Sequence, residues 1–203
     1  YQLLVDARSE DAVARLRSRK GREEKPFAVM FPDLASVRET AAVADAEARW
    51  LASAAAPILL VPLVTRGLLA DGVAPGLRTV GAMLPYSPLH HLLLARFGGP
   101  VVCTSGNFSE EPMAIEAEDA RQRLGAMADA FLHHDRPIVR HVDDSVARVV
   151  DGALVVMRRA RGFAPLPVEL KATLPTVRAL GGHLKNTVAW SRGGQIIASQ
   201  HIG

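Results

Sequence analysis

Residues 87–107, SPLHHLLLARFGGPVVCTSGN, decide the fold. Ser87 followed by Pro88 is a favoured helix start, a capping residue with proline at the first helical position, and the helix runs on to about Arg96. Gly98-Gly99-Pro100 ends it. Val101-Val102-Cys103 then reads as a buried strand that delivers Thr104-Ser105-Gly106-Asn107 at its carboxyl end. Open α/β sheets bind ligands at such strand ends, where backbone N–H groups and short polar side chains gather. An ordinary polar turn is the competing reading of these four residues.

Working outward, the same alternation continues in both directions. Tyr1–Val5 reads as a strand; Ser9 caps a helix with Glu10 and Asp11 in its first turn, running to about Arg19. Gly21 stops that helix, and Phe27–Phe31 follows as an apolar run of strand length, so the basic residues between are expected in a loop. Asp33 and Asp45 are expected to cap helices over 34–42 and 46–54, before strands at 58–61 and 80–84. Beyond the opening segment come a helix over 116–127 and strands at 130–132, 146–150 and 154–157. Asp151-Gly152 turns the last two into an antiparallel hairpin. The fold class is α/β, a twisted mixed parallel and antiparallel sheet with helices.

Pro165, Pro167 and Pro175 mark residues 166–176 as a linker. Short strands follow at 177–180, 187–191 and 195–199, the last two separated by the turn Arg192-Gly193-Gly194, as the start of a second sheet. The domain expectation is therefore 1–165, a linker, and 177–203. A chain opening directly in a strand and stopping just past one is expected to be a fragment.

Composition bounds the function. The 203 residues are 49% hydrophobic, enough for a substantial core, and contain no apolar run of the roughly 20 residues a membrane-spanning helix needs. One cysteine, Cys103, excludes an internal disulfide framework and a multi-cysteine zinc site, and with no signal peptide before Tyr1 a cytoplasmic setting is expected. A net charge of +3 is too small to argue for nucleic-acid binding, but its distribution is uneven. Arg15, Arg17, Arg19, Lys20, Arg22 and Lys25 fall within eleven residues, and Arg136, Arg140, Arg148, Arg158, Arg159 and Arg161 form a second set.

Lys20, Arg22 and Lys25 could hold several phosphate oxygens, arginine by a forked pair of hydrogen bonds and lysine as a point charge; a solvated helix end is the plainer alternative. Asp143 and Asp144 could hold Mg²⁺ through water as it travels with a nucleotide, or could orient the arginines. Alternate residues of an extended segment face opposite ways, so at most one of the two enters a given pocket. Cys103 is expected as a packed small hydrophobe, Trp50 and Trp190 as core residues. His90-His91 and His133-His134 lack the i, i+4 spacing of paired helix ligands, and no metal site is expected.

Four segments in order resemble the YrdC-like domain of the HypF family, the carbamoyltransferases of nickel–iron hydrogenase maturation. They are Lys20-Gly21-Arg22 with Lys25–Met30; Tyr86–Leu93; Thr104–Asn107 with Glu111-Pro112; and Arg140 with Asp143–Val146 and Arg158–Gly162. Leu180–Thr187 and Ser199–Gly203 resemble the opening of that family's next module, a Kae1-like domain of the actin-like ATPase fold. The resemblance implies formation of carbamoyl adenylate from ATP and the carbamate of carbamoyl phosphate, with transfer to the C-terminal cysteine of HypE for cyanide-ligand synthesis. It implies ATP with Mg²⁺, and zinc only in parts outside this chain, which lacks the family's acylphosphatase module and zinc fingers. By resemblance Lys20, Arg22 and Lys25 bind carbamate and phosphate, Thr104, Ser105 and Asn107 bind ATP and the adenylate, and Arg140, Ser145 and Arg161 close the pocket. Lys185, Asn186 and Thr187 would belong to a second nucleotide site.

Two rivals remain at this point. A threonylcarbamoyl-adenylate synthase of tRNA modification shares the YrdC-like fold but uses threonine and bicarbonate; the tail after Pro175 argues against it. A non-catalytic RNA-binding module would use the same basic face, and is weakened by modest charge and few stacking rings.

Overall fold

A computed structural model describes residues 1–64, 67–108, 111–182 and 186–201. Its first sheet holds seven strands: β1 (Gln2–Asp6), β2 (Ala28–Met30), β3 (Ile58–Pro62), β4 (Thr79–Met83), β5 (Val101–Ser105), β6 (Val146–Val150) and β7 (Ala153–Arg158). They lie in the order β1-β5-β2-β4-β3-β6-β7. β2 with β4 and β3 with β6 are parallel and the other neighbours antiparallel, so the sheet is mixed.

Side chains alternate across the strands, and the two faces are covered unequally. Val29, Leu59, Val61, Val80, Ala82 and Val102 face a core closed by Val13 and Leu16 of α1 (Glu10–Lys20), Val37 of α2 (Leu34–Thr40), Leu51 of α3 (Asp45–Leu51), and Ala120 and Leu124 of α5 (Ala117–Leu124). Met30, Met83, Val101 and Cys103 face the other way, against Leu94 of α4 (Pro88–Phe97). A single helix cannot cover seven strands. The uncovered part of that face becomes the floor of a cleft.

The caps follow sequence chemistry. Ser9 accepts from the N–H of Ala12, Asp33 from that of Ser36, and Ser87 from that of His90; Gly21 and Gly98 close α1 and α4 in the left-handed region. Asp45 is not a cap. Ala44 takes that position while Glu47 reaches back to its N–H, and Asp45 sits in the first turn. The Asp151-Gly152 turn has φ of 51° and 77°, as a tight hairpin requires.

Three other expectations are corrected. Residues 130–132 form no strand; they run irregularly along the cleft, Phe131 packing against the core and stacking on His133. Residues 166–176 are not a structureless linker, since β8 (Val168–Leu174) lies among them and pairs with β10 (Val188–Ala198). The turn at Arg192-Gly193-Gly194 is present within β10: Gly193 has φ of +60° and Ser199 N–H donates to Val188 O at 2.8 Å, so β10 folds back on itself, its first arm pairing with β9 (Arg178–Leu180) and its second with β8. Trp190 in that strand is 43% exposed, so it is not a core residue, while Trp50 is half-buried against Phe163. Among the described residues, no helix is long and apolar enough to cross a membrane.

Candidate functional site

The open sheet face, the end of α1, the loop after it and the irregular segment 130–144 surround one cavity of about 2450 Å³. Lys20, Arg22, Lys25, Thr104, Ser105, Asn107, Arg140, Arg158 and Arg161 all line it, although the chain separates the first from the last by more than half its length. Leu4, Ala28, Ile58, Leu60, Gly81 and Cys103 supply an apolar floor. Cys103 is buried and its thiol is pushed far above the usual range by desolvation, which leaves it a packing group.

Lys20 is not in the loop. It is the last residue of α1, buried, and its Nζ donates to Ser105 O at 2.7 Å, Asn107 O at 2.6 Å and Asn107 Oδ1 at 3.1 Å. An ammonium has three donors, and all three are used on the turn after β5. Ser105 Oγ donates to the same Asn107 Oδ1 at 2.6 Å, and Asn107 Nδ2 donates to Glu111 O. Gly106 allows this turn to close: its N–H donates to Tyr1 O at 3.0 Å, and a Cβ there would lie 2.9 Å from the same oxygen. Lys20 thus shapes the hydroxyl-bearing turn from behind.

Burial, and secondarily Arg22, pull the Lys20 pKa down to about 8. An anion bound in the cavity favours the charged form, so binding takes up a proton wherever free Lys20 is neutral. Affinity for a polyanion in this cavity is therefore expected to be greatest below pH 8 and to fall above it, by at most about tenfold per pH unit for one proton. Calorimetric titrations at pH 8.5 in two buffers of different ionisation enthalpy read the uptake directly. Equal heats in both buffers would contradict it.

Arg22 is half-buried. Its Nε donates to Lys25 O at 3.1 Å, Nη2 to Pro26 O and Nη1 to Thr104 Oγ1 at 3.2 Å, while its guanidinium lies 4.8 Å from the Phe27 ring centre. Burial first, then Arg17 and Arg158, lower its pKa, which marks a site with excess positive charge. Lys25, Arg140 and Arg158 are exposed cavity-lining cations with no carboxylate partner among the described residues. These three are free to meet an anion.

Arg161 is held more firmly. It pairs with Asp144 at 2.8 Å, donates to Ala55 O and Ala56 O, and packs its guanidinium 3.5 Å from the Tyr86 ring centre. Ser145 corrects the sequence expectation: it is fully buried, accepts from Ala160 N at 2.7 Å and donates to Arg161 O at 2.9 Å. Its hydroxyl pins the wall that carries Arg161 and does not face the cavity. Asp143 Oδ2 lies 3.2 Å from His201 Nε2. Asp144 orients Arg161, and both aspartates line the cavity; among the described residues no group of three or more side chains is placed to hold a metal ion by itself.

Asn186 and Thr187 lie just before β10, do not line this cavity, and Lys185 falls outside the described residues. Sequence reasoning missed Gln2 and Tyr86 as wall residues: Gln2 Nε2 donates to Tyr86 Oη at 2.8 Å, and His90 Nε2 lies 3.0 Å from Gln2 Oε1. Desolvation holds the Tyr86 hydroxyl protonated and lowers the His90 pKa, making this a neutral polar corner beside the cationic one. The resemblance of Tyr86–Leu93 to the family segment was the signal for it.

A seven-stranded mixed sheet with one face only partly covered by a helix and a cationic rim defines a class, and comparison with known proteins agrees. The chain belongs to the Sua5–YciO–YrdC family, whose model, described as Telomere recombination, matches residues 1–160. More particularly, it is similar to the carbamoyltransferase HypF of Synechocystis sp., 47% identical over 204 residues that take in all of this chain and 27% of that protein. A full-length HypF crystallised in a phosphate- and nucleotide-bound form superposes with a TM-score of 0.92 at 44% identity, covering 100% of this chain and 32% of that one. A threonylcarbamoyl-AMP synthase of Halorhodospira halophila is 32% identical over 138 residues, 65% of this chain and 70% of the relative. The chain thus spans about a quarter of the length of its HypF relative.

Proposed function

We propose that this chain is the adenylate-forming segment of a HypF-type carbamoyltransferase, working in the cytoplasm. The observation that carries the reading is the single cavity that gathers cations from both ends of the chain over an apolar floor. In the proposed reaction a carbamate oxygen attacks the α-phosphorus of ATP, the bond to the β-phosphate oxygen breaks, and pyrophosphate leaves. Lys25, Arg140 and Arg158 neutralise the polyphosphate, Arg22 and Thr104 bind beside the reacting phosphate, and the turn at Ser105–Asn107 orients the adenylate. Fixed cations in a partly dry cleft stabilise the developing charge more than water would, and shield the carbamate from hydrolysis.

The division into a YrdC-like unit over 1–165 and the opening of a Kae1-like domain over 177–203 belongs to the same proposal, as does a second nucleotide site using Lys185, Asn186 and Thr187. So do Mg²⁺ arriving with ATP and HypE as the acceptor. Full-chain similarity to HypF supports this reading over the threonylcarbamoyl alternative.

ATP–pyrophosphate exchange by the full-length protein tests it: carbamoyl phosphate is expected to drive exchange, and dependence on threonine with bicarbonate would refute it. In the same assay Lys25→Ala is expected to lower kcat/KM by about tenfold or more with Tm unchanged to within about 2 °C, because its exposed charge meets ligand and no core. Equal losses of activity and stability would place Lys25 in the scaffold.

A further inference from the structure

Arg17, on α1, does not line the cavity and pairs with no carboxylate among the described residues. Its five N–H groups are nevertheless all in use. Nε donates to Gly72 O at 2.6 Å, Nη1 to Arg22 O at 2.8 Å and Glu23 O at 3.0 Å, and Nη2 to Lys25 O at 3.2 Å and Val73 O at 3.5 Å. The guanidinium also lies 4.7 Å from the centre of the Phe27 ring, which Arg22 approaches at 4.8 Å.

A half-buried cation without a counter-ion carries a desolvation cost, and burial lowers the pKa of this one. What it gains is three carbonyls of one short loop, Arg22–Lys25, tied to a second point at Gly72–Val73. No other side chain has five donors in a rigid planar fork. Arg22 itself donates to Lys25 O, so the two guanidiniums share an acceptor and set each other's position.

We propose that Arg17 is a positioning residue of the anion site: by gathering the carbonyls of Arg22, Glu23 and Lys25 it fixes where Arg22 and Lys25 present their charges, without touching the ligand. The identity of that ligand rests on the carbamoyl-adenylate reading; the geometry of the loop does not.

The test uses the full-length protein with Arg17→Lys, which keeps the charge and loses the fork, and Arg17→Ala. For Arg17→Lys the KM for ATP in exchange is expected to rise about tenfold with kcat nearly unchanged, since loop ordering is then completed at the expense of binding. Cleavage at Glu23 and Glu24 by a glutamate-specific protease is expected to accelerate by a similar factor, and added guanidinium ion to restore KM in Arg17→Ala. Unchanged KM and cleavage would overturn the proposal, as would parallel losses of kcat and Tm at constant KM, the signature of a general strut. If the wild type shows no carbamoyl-phosphate-dependent exchange, the functional reading fails. The same comparison of ATP affinity and cleavage between wild type and Arg17→Lys then still decides the role of Arg17, and Arg17→Lys alone decides it if Arg17→Ala does not fold.

Discussion

Lys20→Met is expected to remove about 2–4 kcal/mol of stability and about a hundredfold of ATP affinity in the molecules that remain folded. The methionine fills the volume of the buried stem but leaves Ser105 O, Asn107 O and Asn107 Oδ1 without the ammonium donor they share. An unpaired acceptor carries the desolvation cost of the group that is lost: Asn107 O is left without a donor among the described residues, while Ser105 O keeps only the Asn107 N–H and Asn107 Oδ1 only the Ser105 hydroxyl, so the turn loses the cation that ties its three oxygens together. That turn carries hydroxyl and amide groups that line the cavity and belong to the proposed anion site, so the structural loss is expected to be a functional one as well. Urea denaturation reads the first effect and calorimetric titration of ATP the second. A destabilised protein that binds ATP as wild type does would show that the turn keeps its shape without Lys20.

Gly162→Ala is expected to cost about 3–5 kcal/mol, at the upper end for a single methyl group. Gly162 has φ of +85°, and a Cβ there would overlap the main chain of Ala55, whose Cα would lie 2.6 Å away. Neither can yield easily, because Arg161 donates to Ala55 O and Ala56 O while holding Asp144. Gly152→Ala provides the control: φ is +77° but nothing lies within 4 Å of the added atom, so only the backbone preference is lost, about 1 kcal/mol. The difference between the two, read as the shift in denaturation midpoint, isolates the clash. Equal shifts would mean that the wall around Arg161 is softer than its hydrogen bonds indicate.

Local chemistry was legible in the sequence wherever one side chain decides one backbone group. Ser9, Asp33 and Ser87 cap as their positions require, and Val101–Cys103 delivers its polar turn at the cleft. Asp45 was misplaced by one residue because Glu47 completes the cap from inside the helix. Residues 166–176 read as a linker because their prolines flank β8, leaving Val168–Leu174 free to pair with a strand that comes later. Such long-range pairing leaves no local mark.

The same limit governs the site. Lys20, Arg22, Lys25, Thr104 and Arg161 were found as charged or polar residues in suggestive places, but not their division of labour. Which cation faces ligand and which faces a carbonyl depends on the path of neighbouring loops. Lys20 and Arg161 use their donors on the protein, Ser145 is sealed in the wall, and Lys25, Arg140 and Arg158 are left to the cavity. Arg17 read as one more member of a basic run, and its role is visible only once five carbonyl oxygens surround it.

The central claim, that separate stretches of the chain build one anion site, is tested most directly by calorimetric titration of ATP into the protein carrying Lys25→Ala, Arg140→Ala or both. One nucleotide-binding event is predicted to depend on both residues, each substitution weakening that event by about tenfold and the pair more than either alone, while any event at the second site proposed for Lys185, Asn186 and Thr187 is unchanged. Two independent binding events, each sensitive to one residue only, would contradict it.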